Sequence, residues 1–177
     1  VIRRLAAVLI LALTATACAD LPTEFRIGPP PACDITWRPP APSSRGRLLL
    51  IAQSVPDATM IPCLGPLPPG WAFRHATVRS DRAELVVETD TFDLGVEITL
   101  VEACDLDAAD PVATNEPDLA LYISDDGRTY SYPFDGGCVQ IDYATAALAA
   151  SDDGRALFEE VHLMPRDQLR ALTGWEL

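Results

Sequence analysis

The sequence contains no lysine: its 13 basic residues are all arginines, set against 26 acidic residues for a net charge of −13. Phosphate backbones are gripped by clustered Lys and Arg, so this chain argues against nucleic acid as a partner. Anionic headgroups repel it as well, and the plain reading of the acidity is solubility. Neither a P-loop nor G-x-G-x-x-G is present, which removes the common nucleotide cradles. There is no G-x-S-x-G, and neither "RHAT" around His75 nor "EVHLM" around His162 has the context of a catalytic loop. No cysteines are spaced C-x-x-C and there are only two histidines, so zinc lacks a ligand set. Asp105, Asp107 and Asp110 gather in "DLDAAD", but calcium needs six or more oxygens and an EF-hand loop needs D-x-D-x-D-G. That stretch reads as a solvated acidic loop, and no metal or other cofactor is expected. Long apolar runs are missing too: the run at residues 5–13, "LAAVLILAL", falls short of the roughly 20 residues a membrane-spanning helix needs.

What is present starts at the N-terminus. Arg3 and Arg4 precede that apolar run, and small residues follow it up to Cys18. A basic start, a short apolar core and small residues before a cut mark a secretory signal. "ATAC", Ala15 to Cys18, resembles the lipobox of bacterial lipoproteins, whose cysteine takes a diacylglyceryl group, with acyl chains such as palmitate, and becomes the new N-terminus. The family's usual leucine is replaced here by Ala15. The alternative is an ordinary cut after Ala17 or Ala19 and a secreted product. The expected organisation is a signal peptide at 1–17, a lipid-anchored proline-rich tether at 18–46 and an ectodomain at 47–177. Cys18 then ties the chain to the bilayer on the outer face of the plasma membrane, since two acyl chains suffice for stable attachment. Removing residues 1–17 takes two arginines and no acidic residue, so the charge of −13 becomes −15.

Four cysteines remain after Cys18: Cys33, Cys63, Cys104 and Cys138. An even number in an exported chain implies two disulfides, with three possible connectivities. Residues 19–46 hold seven prolines in 28 positions. Proline fixes φ and removes a donor, so this stretch is expected to be disordered and semi-rigid, although Cys33 and Trp37 suggest that residues 33–38 dock back onto the domain.

From Arg47 onward the pattern predicts α+β: an antiparallel sheet of about six strands with C-terminal helices. "RLLLIAQSV" reads as a buried strand by its continuous apolar run. Residues 57–60 read as a short helical turn opened by Pro56 and ended by Pro62. "ATVRSDRAELVVET" reads as a hairpin turning at Ser80-Asp81. In "LGVEITLVEAC", Val96, Ile98 and Leu100 alternate with Glu97, Thr99 and Val101, which predicts a half-buried strand. "LALYISDDGRTYSYPF" carries Asp126-Gly127, a preferred pair for a two-residue turn. "DGG" turns again before the strand "CVQIDY". "ATAALAASDDGRALFEEV" is helical in composition and breaks near Gly154. "HLM" reads as a short strand, and Pro165 opens a last helix ended by Gly174.

The aromatics Trp71, Phe73, Tyr122, Tyr130, Tyr132, Phe134 and Tyr143 are the candidate ligand contacts. Tyr130 and Tyr132 are two apart on one strand and face the same side. With Trp71 they can form a platform for a sugar or peptide, or pack as core.

"QSVPDATMIPCLGPLPPGW", "LVEACD", "YPFDGGCVQIDY" and "EEVHLMPRDQLRAL" together resemble a family of uncharacterised actinobacterial envelope proteins, over residues 47–173. The lysine-free, Ala-, Asp- and Pro-rich composition resembles high-GC actinobacterial usage in the same way. The resemblance implies that Cys63, Cys104 and Cys138 belong to a shared framework, and it carries no activity. Cys104 is then expected to pair with Cys138, a strand end with a strand start, and Cys33 with Cys63, pinning the stalk. The expected function is a non-enzymatic binding or accessory lipoprotein of the envelope, with an envelope protein or glycan as partner. The alternative is an envelope or secreted hydrolase without a recognisable motif.

Overall fold

The computed structural model describes residues 25–33, 42–89, 95–106, 109–112 and 119–173. Cys18, the signal segment and Trp37 lie outside these, as do Asp107 and Gly174. The described strands are β1 (Phe25–Ile27), β2 (Met60–Leu64), β3 (Trp71–Val78), β4 (Arg82–Thr89), β5 (Gly95–Val101), β6 (Ala109–Val112), β7 (Leu121–Ser124), β8 (Thr129–Phe134), β9 (Gly137–Tyr143) and β10 (Val161–Pro165). Eight of them form one antiparallel sheet in the order β1-β3-β4-β5-β9-β8-β7-β6, and β2 pairs with β10. The helices are α1 (Pro42–Ser54), α2 (Ala146–Ala149), α3 (Asp152–Glu159) and α4 (Arg166–Thr173). The architecture is α+β, as the pattern predicts, with more strands than expected because β1 and β6 are short and come from proline-containing stretches.

Period-two alternation builds the sheet's centre. Ala83, Leu85 and Val87 face Leu100, Ile98 and Val96 across one ladder, and Ile141 and Val139 continue the rows. With Tyr143, none of these is more than 1 % exposed. Burying each large aliphatic side chain contributes about 1.5–3 kcal/mol. The alternate residues form a polar face, where Glu97 stands opposite Asp142. Thr99 donates to Glu97 at 3.1 Å and Thr129 to Asp142 at 2.6 Å. The expected turns are in place: Gly127 and Gly136 both take positive φ, +69° and +71°. At the first, the Ser124 hydroxyl and the Arg128 N–H donate to Asp126, holding its carboxyl below the usual carboxylate range.

Several local expectations are corrected. "RLLLIAQSV" is not a strand but the body of α1. A continuous apolar run fits either element, and the buried positions Leu48, Ile51, Ala52 and Val55 recur with helical spacing on the covered face. Pro42 opens that helix, where a missing N–H costs nothing. Residues 57–60 do not form a helical turn leading to Pro62. Thr59 donates through both its N–H (3.1 Å) and its hydroxyl (2.8 Å) to the Asp135 carbonyl, and the chain leaves directly into β2. Pro62 sits inside that strand, opposite Leu163. The helical stretch breaks at Ala150 and Ser151 instead of Gly154. Ser151 is the N-cap of α3, accepting from the Gly154 N–H at 3.0 Å. Gly154 lies within the helix, at a position where a Cβ would land on the Leu148 carbonyl. Pro165 ends β10, and α4 starts one residue later. Within the stretch read as an acidic loop, residues 109–112 pair with β7.

The tether expectation fails over residues 25–33 and over residues 42–46, which belong to α1. β1 pairs with β3, and a parallel bridge joins Ala32 to Leu64. Proline gives up its donor but keeps its carbonyl. The Pro31 carbonyl accepts from the Leu64 N–H at 2.9 Å, and the Pro30 carbonyl accepts from buried Arg47 at 3.3 Å. Cys33 is bonded to Cys63 and Cys104 to Cys138, with Cα separations of 5.0 and 5.6 Å. Both pairings match the expectation.

Candidate functional site: an aromatic cleft

The helices cover the apolar face of the sheet, and the cleft opens where that cover thins toward β7. Tyr130 and Tyr132 stand opposite Ile141 and Val139 in register, so both project to the helix side. Tyr143, two residues beyond Ile141, joins them. Its ring meets Tyr130 edge-on, with centroids 5.4 Å apart and an interplanar angle of 87°. From above, α3 lowers Phe158 onto the pair, 5.3 Å from Tyr130 and 6.1 Å from Tyr132. Each such contact contributes about 0.5–1.5 kcal/mol beyond area burial.

Two hydrogen bonds hold α3 in place. The Tyr143 hydroxyl donates to the Gly154 carbonyl at 3.1 Å, and the Ser151 hydroxyl donates to the Leu148 carbonyl at 2.7 Å. Burial raises the Tyr143 phenol above its ordinary value, with Tyr130 and Tyr132 adding to the rise. That hydroxyl is therefore a neutral donor under any physiological condition.

A cavity of about 330 Å³ lies beside this cluster. Leu121 and Ala149 contribute apolar surface, Tyr130, Tyr143 and Phe158 contribute ring surface, and the exposed Ala150 and Arg155 complete the lining. Among the described residues the Arg155 side chain makes one ion pair, 3.4 Å to Asp152 one helical turn back, and both side chains are exposed. An exposed pair of that kind contributes little. The cleft can hold a small ring and offer it N–H and O–H donors.

Of the expected platform, Tyr130 and Tyr132 are brought together and Trp71 is not. β4, β5 and β9 lie between β3 and β8, and Trp71 packs in the core, 8 % exposed. Phe158 and Arg155 complete the site and are missing from the sequence-based set. Their signal is the three-residue spacing on α3, which puts both on one helix face.

The two histidines lie elsewhere. His75 follows the bulge in β3 and stands opposite Val86, on the polar face. His162 is exposed on β10, opposite Cys63, with Glu160 and His162 both reaching over Gly65. Among the described residues no group of three His, Cys, Asp or Glu side chains is placed to hold a metal, and no helix is long and apolar enough to cross a membrane.

No family profile, curated protein or solved structure matches the chain. The likeness to actinobacterial envelope proteins rests on the quoted motifs alone.

Proposed function

We propose that this is a non-enzymatic binding protein of the cell envelope, anchored on the outer face of the plasma membrane through acylated Cys18, with the aromatic cleft as its ligand site. The observation that carries the address is the disulfide pairing. All four cysteines beyond Cys18 are bonded in two pairs, and such bonds persist in oxidising compartments. The basic, apolar and small-residue order of residues 3–18 supports processing at Cys18. The cleft supports a binding role: it is concave, mostly apolar and supplied with a few polar groups, the usual form of a small-ligand site. The acidity of the chain supports an envelope protein or glycan partner over nucleic acid.

Intact-mass analysis of membrane and soluble fractions tests the address. The expected product begins at Cys18, carries acyl mass and holds no free thiol, and Cys18→Ala shifts it out of the membrane fraction. An unacylated product in the medium favours the secreted alternative. An unprocessed cytosolic chain with free thiols overturns both. Chemical-shift mapping with a library of small rings tests the cleft: shifts centred on Tyr130 and Phe158 are expected, and shifts confined to other surfaces overturn the assignment.

A further inference from the structure

We infer that the cleft takes a compound with one ring that has an apolar face and with one carboxylate, its ring against Tyr130 and Phe158 and its carboxylate on the guanidinium of Arg155. This rests on the cleft being the binding site and adds the class of ligand.

Size sets the first limit. A volume of about 330 Å³ is at the small end of ligand sites and suits one ring with a short arm, not an acyl chain or a folded peptide. The walls set the second. Tyr130 and Phe158 are both partly exposed, tilted 55° to one another, and so present two ring faces at an angle. The apolar Leu121 and Ala149 lie below, 8 % and 7 % exposed. An aromatic ring, or the C–H face of a sugar ring, packs against such surfaces.

The polar groups decide the rest. The Tyr143 hydroxyl is already committed to the Gly154 carbonyl. The Tyr130 hydroxyl forms no hydrogen bond among the described residues, and Arg155 has only its weak contact with Asp152. The described residues that line it therefore offer donors and no carboxylate, in a chain with 26 acidic residues. A guanidinium fork matches a carboxylate in bidentate geometry. Asp152 is fully exposed and yields that fork at little cost. The charge of the ligand is limited to one, because a net charge of −13 repels polyanions and Arg155 is the single cation among the described residues that line the cleft.

Free aromatic acids and uronic sugars share this chemistry. The test titrates the intact, disulfide-bonded protein with phenylacetate and glucuronate, each against its neutral counterpart, 2-phenylethanol and glucose, and follows the Tyr130 and Phe158 ring resonances. At least one acid is expected to saturate these shifts about tenfold more tightly than its counterpart, the worth of one charge-assisted hydrogen bond. Arg155→Gln removes that advantage, so that acid and neutral counterpart bind alike. Ala150→Trp, at an exposed position with ordinary helical backbone angles, blocks both acid and counterpart. Which acid responds separates the two sources. Equal binding of acid and counterpart in wild type and Arg155→Gln overturns the carboxylate inference and leaves the cleft standing as a site. Absence of any shift at Tyr130 and Phe158 with all four compounds overturns the inference and counts against the cleft itself.

Discussion

Arg166 donates through its guanidinium to the carbonyl of Ala52 at 2.6 Å, joining residues 114 apart in the chain. The same nitrogen reaches the Val55 carbonyl at 2.7 Å, and Nε reaches Ala58 at 2.6 Å. A helix ends with carbonyls that have no partner inside it, and with a partial negative charge. Here one buried arginine from the start of α4 satisfies the end of α1 and the turn that follows. Burial lowers its basicity from the ordinary value, Arg170 adds to the lowering and Asp57 opposes it; an arginine stays charged nonetheless.

Arg166→Ala is expected to leave these carbonyls buried and unpaired, at a cost of about 3 kcal/mol. For a chain of this size that is a fall of roughly 6–12 °C in Tm. Arg166→Lys supplies one point donor in place of the fork and recovers only part of the loss. Thermal unfolding of the three proteins checks the order.

Tyr143 and Tyr130 touch each other but differ in hydrogen bonding, and substitution separates them. Tyr143→Phe loses the bond to Gly154 and about 1 kcal/mol at neutral pH. Tyr130→Phe loses no hydrogen bond among the described residues and is expected to stay within about 0.5 kcal/mol of wild type. The raised Tyr143 phenol also gives a pH signature. The folded state holds this proton more tightly than the unfolded chain, where tyrosine titrates near about 10. Its contribution is complete below that pH and is lost as the pH climbs through and beyond it. Denaturant titrations across the alkaline range are expected to show a steeper decline for wild type than for Tyr143→Phe.

Gly127 and Gly136 have nearly the same φ, and substitution isolates the effect of close approach. A Cβ at Gly127 meets nothing within 4 Å, while one at Gly136 lands on the Asp57 carbonyl. Gly127→Ala carries only the left-handed backbone penalty, about 1 kcal/mol. Gly136→Ala adds displacement of the segment before β2, and its loss is expected to exceed about 3 kcal/mol. Equal midpoints in denaturant contradict this account.

The disulfides close loops of 30 and 34 residues, worth about 3–4 kcal/mol each in the loop-entropy view. Cys63 and Cys138 are 1 % and 0 % exposed. Reduction of the native protein is therefore expected to follow local or global opening, so that the rate of thiol release rises with mild denaturant. Cys33→Ser with Cys63→Ser is expected to expose the amides of Cys33 and Leu64 to hydrogen exchange while leaving those of β5 and β9 protected.

The centre of the sheet is legible in the sequence because Val96, Ile98 and Leu100 follow a period that only a half-buried strand produces. The turns at Asp126-Gly127 and Asp135-Gly136 are legible because positive φ favours glycine. α1 is not, since an unbroken apolar run is silent about period until the covering partner is known. The segment after Pro56 follows tertiary bonds to Asp135 and Arg166 that no local pattern encodes. At the cleft, Tyr130 and Tyr132 are legible as a pair by their spacing. Trp71 is misplaced because nothing local reveals that β9 inserts between β5 and β8. Arg155 and Phe158 come from a helix whose docking depends on Tyr143, a long-range relationship.

The order in which the first described residues are fastened has a mechanical consequence. A pull on the chain ahead of Phe25 loads the three-residue ladder of β1 on β3 first. Those few bonds peel in succession at low force. The load then passes to the link between Cys33 and Cys63, which no thermal force breaks, and spreads through β2 into β10. The outermost strand acts as a sacrificial thread that yields before the covalent link behind it takes the load.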